Sequence, residues 1–336
     1  MEINYKKKND VLFTANKGYI DIMLASIYSL LTNGNLSNIR LHIICDGFTD
    51  DEFKRIEKVI KNFGNAEVYF YPMEDYNLSK YNIPDWHGTQ IANARLFFGD
   101  ILKPHKMNIE NLLYLDADTI TVGDLNGLCK YADNLHAVRD AGLKHYNKSL
   151  DNLDTYYNSG VIYFNVDEWM SKDYQRKIVD LLKENRIKLT YPDQDIFNCA
   201  IRDGISDLPV NYNIPPHAYM FDGILAKMYF NSKLRNVGYE EIGEARLAPK
   251  IIHTYGLTGI KPWQTDFNPF YDEYMKYITA INHDFIPTDL EGLKKVVVQF
   301  PNFYKALLIA RTYMTETIEK PVRALALKCH QSNKKY

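Results

Sequence analysis

The chain has 336 residues, of which 46% are hydrophobic and 24% are charged, and its formal net charge at pH 7 is −2. This composition is typical of a globular protein with a substantial core and excludes a predominantly disordered chain. The nearly neutral charge also argues against nucleic acid as a partner, because nucleic-acid-binding domains are usually strongly basic.

The first 73 residues alternate short apolar runs with amphipathic patterns. VLFTA (11–15), RLHIICDGF (40–48) and AEVYFYPM (66–73) predict strands. The segments 19–33 and 49–63 have the periodicity of helices, and the second begins with acidic residues, as helices often do. This βαβαβ order predicts a parallel sheet with helices on both faces, in which ligands bind at the carboxyl ends of the strands.

The same alternation continues toward the C-terminus. A helix is predicted over 89–102, and LLYLDADTI predicts a strand over 112–120. Further strands are predicted at 135–140, 157–166 and 250–255. The whole pattern indicates an α/β fold.

The composition changes after about residue 266. From Lys294 to the end the chain carries nine Lys and Arg against two Glu, so the preceding residues hold the negative charge. This basic charge lies on an apolar segment that contains Tyr and Phe. Two interpretations stay open: a solvated helical face with a basic tail, or a basic amphipathic anchor on a membrane surface.

The cysteines and the first residues of the chain indicate the cellular compartment of the protein. No two of the four cysteines form a CxxC pair, and we interpret Cys45, Cys129, Cys199 and Cys329 as free thiols of a reducing compartment. The opening MEINYKKKND is basic but lacks the apolar region of a signal peptide. No stretch approaches the run of roughly 20 apolar residues that spans a bilayer. These features predict a cytoplasmic protein.

The strand predicted at 112–120 leads into two carboxylates, Asp116 and Asp118. On an extended backbone, side chains two residues apart leave the same face, and like charges so close repel unless something compensates them. A divalent cation is the usual compensation, because carboxylates are hard oxygen ligands that suit Mg²⁺ or Mn²⁺. A pair of solvated acids at a strand end is the alternative.

The pattern LLYLDADT also resembles the nucleophile motif of haloacid dehalogenase-type phosphatases. There Asp116 would attack phosphorus and Asp118 would act as acid and base. That family needs later acids at another strand end and a downstream Lys, and it usually places the motif on its first strand. Here three predicted strands precede the motif, and the later acids lie in YPDQDIFN (191–198), which has a helical pattern.

Five motifs occur in order along the chain: YLDADTI, YYNSGVIYFN, YPDQDIFN, LPVNYN and HTYG…KPW. Together they resemble glycosyltransferase family 8, the retaining sugar transferases that include glycogenin and bacterial lipopolysaccharide galactosyl- and glucosyltransferases. The resemblance implies the GT-A fold, a Rossmann-like sheet that binds a nucleotide-sugar. We therefore expect a GT-A catalytic domain over residues 1–265 and a C-terminal helical, basic and aromatic region over residues 266–336.

The resemblance also implies a metal site. The family's DxD acids match Asp116 and Asp118, and the His that opens its late motif matches His253, so these three residues are expected to bind Mn²⁺ or Mg²⁺. The Lys that holds the donor diphosphate matches Lys261. HTYGLTGIKPW has two more residues between Gly256 and Lys261 than the family's short form, so the loop must bulge.

Other matched positions are expected to surround the nucleotide and the donor sugar. Asn16 stands where the family often has an Asp that faces uracil N3–H, and an amide carbonyl can accept that bond but does not repel cytosine. Tyr19 matches a residue that packs on the base, and Arg95 matches one that reaches the donor or, alternatively, makes a surface salt bridge. The expected donor-binding residues are Thr14, Ala15, Asn16, Tyr19, Arg95, Asp116, Ala117, Asp118, Asn158, Gly160, Gly256 and Lys261.

The last matched positions concern the reaction itself. Asp193 matches an acid that holds sugar hydroxyls, Gln194 matches the amide beneath the reacting carbon, and Asp140 matches a position near the acceptor. Alternatively, Pro192 and Asp193 only begin a helix, and the NSG at 158–160 is only a turn.

The sequence leaves three functions open. The favoured one is a metal-dependent retaining glycosyltransferase of cell-surface polysaccharide biosynthesis, which moves galactose or glucose from a UDP-sugar to a glycan, glycolipid or glycoprotein acceptor. The alternatives are a DxDxT-type phosphatase and a non-catalytic nucleotide-sugar- or glycan-binding protein. The favoured function places the chain in the cytoplasm, at the inner face of the membrane if its C-terminal region binds lipid. Formation of a homodimer is left open.

Overall fold

Two β-sheets form the centre of the computed structural model, which describes residues 8–314 except 77, 82, 84, 86–88, 104–106, 142–152, 154, 185–188, 232–235 and 256–258. The described strands are β1 (Asn9–Asn16), β2 (Ile39–Asp46), β3 (Ala66–Pro72), β4 (Asn111–Leu115), β5 (Thr119–Thr121), β6 (His136–Arg139), β7 (Tyr157–Asn165), β8 (Ser206–Leu208) and β9 (Ile251–His253). The larger sheet has the order β3-β2-β1-β4-β7-β6-β8, and β5 pairs with β9 in a second sheet.

Helices cover both faces of the larger sheet. The described α-helices are α1 (Ile20–Asn33), α2 (Asp50–Lys61), α3 (Phe98–Leu102), α4 (Val166–Ser171), α5 (Tyr174–Glu184), α6 (Pro192–Ile201), α7 (His217–Met220), α8 (Gly223–Phe230), α9 (Tyr239–Leu247), α10 (Tyr271–Ile281), α11 (Leu293–Gln299) and α12 (Pro301–Met314). Within the described part of the chain, no helix is both long enough and apolar enough to cross a membrane.

The βαβαβ prediction for the N-terminal part is confirmed. Strands β1, β2 and β3 pair in parallel, with α1 and α2 as the connections between them. Helix α2 begins where its sequence predicts, because Glu52 reaches back to accept a hydrogen bond from the Thr49 backbone N–H at 2.7 Å. The carboxyl ends of these strands and of β4 therefore meet at one edge of the sheet.

The second half of the larger sheet is not parallel throughout. Strand β7 runs antiparallel to both β4 and β6, so the sheet is mixed. The sequence pattern could not show this difference. Strand β7 is buried along almost its whole length, and a strand buried on both faces reads as a continuous apolar run in either direction.

Two predicted elements are broken in the structure. The strand predicted at 112–120 ends as β4 at Leu115, and the chain turns before β5 begins at Thr119. The helix predicted at 89–102 starts as a 3₁₀ helix over Ile91–Phe97 and becomes α-helical only in α3. A short apolar pattern cannot distinguish the periods of the two helix types.

The larger sheet separates two hydrophobic cores. Side chains of β1 alternate between them, so that Val11 and Phe13 belong to the core with α1, whereas Leu12 belongs to the core with α3 and α6. Helix α10 packs against α1, where Asn33 Nδ2 donates to Tyr277 Oη at 2.6 Å. The side chains that α10 buries share the core of α1. The domain boundary expected at residue 265 stays a prediction.

A buried ion-pair network lies at the amino end of β1, at the opposite end of that strand from its candidate nucleotide-binding residues. Arg40 Nη2 donates to Asp10 Oδ2 at 2.8 Å, and His42 Nε2 lies 2.8 Å from Asp10 Oδ1. The other ring nitrogen of His42 lies 2.8 Å from Tyr71 Oη. Asp10 and His42 are both buried, so their polar atoms depend on these partners within the protein.

We expect Asp10→Ala to lower the free energy of unfolding by about 3–5 kcal/mol, because it strands buried polar partners. Urea denaturation followed by circular dichroism measures this change. The matched control is Glu67→Ala, which breaks the exposed pair with Lys8 and should cost at most about 1 kcal/mol. Equal effects of the two variants would contradict the prediction.

Candidate active site

The acid pair lies in a turn between the two sheets and not on an extended strand. Asp116 follows the end of β4, and its carbonyl accepts hydrogen bonds from Thr119 N at 3.1 Å and Thr119 Oγ1 at 2.8 Å. Strand β5 then pairs with β9, which places Thr119 opposite His253. The predicted extended backbone is thus wrong, but the turn still brings Asp116 and Asp118 to His253.

The two acids and the histidine form one compact cluster. His253 Nε2 lies 3.2 Å from Asp118 Oδ1 and 3.5 Å from Asp116 Oδ2. One ligand atom from each residue lies within 4.8 Å of the others. The second ring nitrogen of His253 lies 2.9 Å from Asn213 Oδ1, a partner of the kind that orients histidine ligands.

Gly160 lies directly beneath this cluster. A Cβ at position 160 would lie 2.1 Å from His253 Cε1 and 2.7 Å from Asp116 Oδ2. The Gly160 carbonyl also accepts the Asp116 backbone N–H at 2.8 Å. Only glycine permits this close approach of β7 to the side chains above it.

Each acid has a cation against it. Lys261 Nζ lies 2.5 Å from Asp118 Oδ2, and Arg95 Nη1 lies 2.7 Å from Asp116 Oδ1. Burial raises the pKa of the Asp116 carboxyl, although the charges of Arg95 and His253 oppose that shift. Burial acts in the same direction on Asp118, but Lys261 and His253 outweigh it and hold the pKa of Asp118 well below its usual value.

Arg95 is a buried residue, so the alternative of a surface salt bridge is wrong. It is 4% exposed, and its guanidinium lies 4.4 Å from the centre of the Tyr114 ring. Its Nη1 donates to the Ser159 carbonyl at 2.8 Å and lies 3.5 Å from Asp193 Oδ2. Arg95 therefore links the acid pair to the start of α6.

The residues expected at the sugar form a second cluster beside the first. Asn158 Nδ2 donates to Gln194 Oε1 at 2.9 Å and to Asp140 Oδ2 at 3.1 Å. Ser159 Oγ donates to Asp193 Oδ2 at 2.6 Å. The structure thus brings together the predicted catalytic pair, the predicted acceptor residue Asp140 and the donor-site residue Asn158.

Helix α6 begins with Pro192, so PDQD is both a helix start and part of this cluster. The side chain of Asp195, one residue after Gln194, accepts hydrogen bonds from nearby residues of the protein. Its Oδ2 accepts the backbone N–H groups of Thr190 and Tyr191 at 2.6 and 3.0 Å, and its Oδ1 accepts from Tyr156 Oη at 2.6 Å.

The residues expected at the nucleotide follow the carboxyl end of β1. Thr14 Oγ1 lies 3.0 Å from Tyr114 Oη, which donates to Asp116 Oδ1 at 2.6 Å, so this strand end connects to the acid pair. Within the described residues, the buried Asn16 Oδ1 has no hydrogen-bond partner. Tyr19 packs edge-on against Trp263. The pKa of Tyr19 is raised by burial and by the nearby Asp118 carboxylate.

Ala117 and Gly256 are the remaining residues expected to bind the donor. Ala117 is buried between the two acids. Gly256 lies outside the described residues.

Several side chains at the site were not identified from the sequence. Thr254 Oγ1 donates to Asp118 Oδ2 at 2.9 Å, and Asn213 contacts both His253 and Asn158. Asn213 lies within LPVNYN, so the motif marked the segment but not the residue's role. The sequence did not indicate a role for Tyr114 or Ser159, because each looks like an ordinary residue of a buried strand.

The cluster suits a hard divalent cation. Two carboxylates and one imidazole are ligands that Mg²⁺ and Mn²⁺ accept, with positions left for other oxygen atoms. A side chain at position 160 would collide with His253 and Asp116, so glycine there lets both residues keep these positions. The residues present therefore fit the expected cation.

The sequence of the chain matches a known protein family. Residues 10–266 match the profile of glycosyl transferase family 8. The chain is 26% identical over 329 residues to a lipopolysaccharide 1,2-glucosyltransferase of Escherichia coli K12, covering 94% of this chain and 90% of the relative. It is 27% identical over 278 residues to general stress protein A of Bacillus subtilis, covering 80% of this chain and 92% of the relative.

A solved structure shares the fold. The crystal structure of the galactosyltransferase LgtC in complex with donor and acceptor sugar analogues has a TM-score of 0.65 and 19% identity, covering 81% of this chain and 96% of that chain. At this identity the likeness shows the fold alone, which is GT-A. The chain belongs to glycosyl transferase family 8 and is a glycosyltransferase with the GT-A fold.

Proposed function

We propose that the protein is a metal-dependent, retaining glycosyltransferase that moves galactose or glucose from a UDP-sugar to a glycan, glycolipid or glycoprotein acceptor. The observation that carries the proposal is the Asp116–Asp118–His253 cluster, which lies beside the amide and carboxylate cluster around Gln194. Relatives named lipopolysaccharide glucosyl- and galactosyltransferases support a hexose donor and a role in cell-surface polysaccharide biosynthesis. Such a role is consistent with a cytoplasmic enzyme.

The two alternative functions are less well supported. Family membership makes the DxDxT-type phosphatase hypothesis wrong. A non-catalytic nucleotide-sugar- or glycan-binding protein would need neither Gln194 nor its network of fixed donors. UDP-sugar hydrolysis that depends on Mn²⁺ would distinguish the enzyme from a binding protein.

Charged residues would hold the nucleotide diphosphate. Asp116, Asp118 and His253 would bind Mn²⁺ or Mg²⁺, which when bound supplies positive charge to a leaving diphosphate. Lys261 supplies a second positive charge at the same place, because its ammonium already lies against Asp118. Arg95 Nη1 lies 2.7 Å from Asp116 Oδ1 and so holds that carboxyl group in position.

Polar residues at the strand ends would bind the rest of the donor. Tyr19 offers an aromatic face for the base, and Asn16 offers an amide oxygen that has no partner among the described residues and can accept uracil N3–H. Thr14 and Ala15 precede them on β1. On the other side of the acid pair, Asp193 would hold sugar hydroxyls, and Asn158 would fix the polar groups around the sugar, because its amide is engaged by Asp140, Gln194 and Asn213.

The reaction would proceed by front-face displacement. The bond between the anomeric carbon and the β-phosphate oxygen breaks, and the acceptor hydroxyl forms the new bond on the same face while its proton passes to the leaving phosphate. The carboxylates beside the sugar are already engaged: Asp193 holds Ser159 and lies near Arg95, and Asp195 holds backbone N–H groups. These contacts favour roles in holding polar groups over covalent attack by either acid.

The exposed face of α11 and α12 supports docking on an anionic membrane. Apolar side chains on α11, on α12 and at the break between them are exposed, with exposed fractions between 47% and 68%. They form what we name the apolar stripe: Leu293, Val296, Phe300, Phe303 and Leu307. Lysines 294, 295 and 305 flank the stripe, and no acidic residue occurs from 292 to 314. This charge favours an anionic lipid surface, which would bring the site to a lipid-linked acceptor.

Asp118→Asn tests the metal site, because it removes a negative charge and keeps the side chain's size. We expect wild-type protein to bind UDP more tightly with Mn²⁺ than without it, and the variant to bind UDP equally weakly in both conditions. Isothermal titration calorimetry measures these affinities. Gly160→Ala should behave like Asp118→Asn, because its methyl group would displace two of the ligands.

The matched control for the metal site is Asp124→Asn, an exposed turn residue six positions along the chain. It should keep the metal dependence of UDP binding. If UDP affinity changed neither with Mn²⁺ nor with the Asp118 substitution, the proposed metal site would be wrong.

Gln194→Ala should lower kcat by roughly 10²–10³ and leave donor affinity nearly unchanged, because its fixed dipole faces charge that develops only in the transition state. Asp193→Ala should weaken both quantities, since a carboxylate that holds sugar hydroxyls acts in the ground state and the transition state. Steady-state kinetics of UDP release and donor titrations give the two values. Asp203→Ala, an exposed position just after α6, is the control. Full transfer activity in Gln194→Ala would place residue 194 away from the reacting carbon.

Reversing the charges of Lys294 and Lys295 tests the membrane docking. The Lys294→Glu, Lys295→Glu variant should sediment far less with vesicles that contain phosphatidylglycerol, because each basic residue contributes about 1 kcal/mol near an anionic surface. Lys177→Glu on α5, away from the apolar stripe, should sediment like wild type. Equal sedimentation of the wild type with pure phosphatidylcholine vesicles would refute the electrostatic account.

A further inference from the structure

A chain of side-chain hydrogen bonds joins the metal-ligand cluster to Gln194. Asn158 Nδ2 donates to Gln194 Oε1 at 2.9 Å and to Asp140 Oδ2 at 3.1 Å. Asn213 Nδ2 donates to Asn158 Oδ1 at 2.8 Å, and Asn213 Oδ1 lies 2.9 Å from His253 Nδ1. Asn213 is only 1% exposed, so the protein itself must supply its polar partners.

The direction of these hydrogen bonds is set by groups that cannot exchange roles. The Gly160 backbone N–H can only donate, and it meets Asn158 at 2.9 Å, which identifies the contacted atom as the amide oxygen. The opposite end of Asn158 meets the Asp140 carboxylate, an acceptor, so that end is the NH₂ group. The Ser159 backbone N–H likewise donates to Gln194 Oε1 at 3.1 Å. Amide orientations that are often ambiguous are therefore determined here.

The same logic reaches the histidine. Because Asn158 presents its oxygen, Asn213 must turn its NH₂ group toward Asn158 and its own oxygen toward His253. The Nδ1 atom of His253 must then carry the ring proton. With its proton held on Nδ1, the ring turns Nε2 toward Asp116 and Asp118, and Nε2 is the nitrogen left to bind a metal ion once it carries no proton.

We propose that Asn213 is a positioning residue that sets the tautomer of His253 for metal binding. Through Asn158, the same residue fixes the amide orientation of Gln194. Gln194 Oε1 then receives two N–H donors, from Asn158 and Ser159, which occupy both of its lone pairs. Gln194 thus acts as a fixed dipole and not as a nucleophile. The inference rests on the proposed function, which gives the tautomer its purpose.

The first test measures the tautomer directly. The ¹⁵N NMR spectrum of the metal-free full chain, with signals assigned by comparison with His253→Gln, should show a proton on Nδ1 of His253. Asn213→Ala should let that proton exchange faster with water, because it removes the acceptor for the proton. A wild-type ring with its proton on Nε2 alone would overturn the proposal. This measurement needs no metal and no donor, so it decides even if the protein does not turn over UDP-sugars.

The second test separates the two contacts of Asn213. Asn213→Ala should weaken Mn²⁺ binding about 10–100-fold, as loss of a partner that orients a metal ligand typically does. Asn213→Asp still accepts the His253 proton but sets a carboxylate oxygen against Asn158 Oδ1. It should therefore keep Mn²⁺ affinity and lose kcat. Electron paramagnetic resonance of Mn²⁺ titrations and UDP-release kinetics give the two quantities.

Asn211, two residues earlier, provides the matched control. Its Nδ2 donates to the Ala248 carbonyl at 3.0 Å, away from the site, so Asn211→Ala and Asn211→Asp should match the wild type in both measurements.

Two results would overturn the proposal: wild-type Mn²⁺ affinity in Asn213→Ala, or equal loss of affinity and kcat in Asn213→Asp and Asn213→Ala. A wild type that binds no Mn²⁺ contradicts the proposed function instead. If a variant fails to fold, as thermal unfolding would reveal, the presence or absence of the Nδ1 proton in the wild type still tests the proposal.

Discussion

The repulsion between Asp116 and Asp118 is the constraint on which the rest of the site depends. Two carboxylates at the end of one buried strand cannot both stay ionised without nearby positive charge or hydrogen-bond donors. The structure supplies these from separate parts of the chain: Arg95 from the 3₁₀ helix before α3, His253 from β9 and Lys261 from the following loop. The contact between β5 and β9 is what brings the last two together with the acids. Packing of the second sheet is therefore a condition for the charge balance.

The charged cluster also limits which side chains β7 can have. The strand passes so close beneath the acids and His253 that position 160 has no room for a side chain. It contributes backbone groups instead, and the N–H groups of Ser159 and Gly160 point into the amide cluster. Backbone donors do not rotate, so they give fixed directions to the amides that they contact. The antiparallel course of β7 thus contributes to the site as well as to the sheet.

The sequence predicts the fold and the site to different depths. Alternating apolar and amphipathic segments predict the strands and helices of the N-terminal part, because burial on one face imposes a period. The direction of β7 has no such signature. The acids, His253 and Lys261 could be found through the family resemblance, which depends on short motifs. The burial of Arg95 and the position of Asn213 could not, because each arises from contacts between segments far apart in the chain, and a single sequence does not display those contacts.

The site divides its polar groups into two kinds with different physical consequences. Around Asp116 and Asp118 the groups carry formal charge, which suits a diphosphate whose charge is present before, during and after reaction. Around Gln194 most of the hydrogen bonds are made by neutral amides and backbone N–H groups. Fixed dipoles cost little reorganisation when charge appears at the reacting carbon. In the proposed function, the first kind of group would govern binding of the donor and the second would govern the rate. Asn213 contacts both kinds, because its oxygen faces His253 and its NH₂ group faces Asn158.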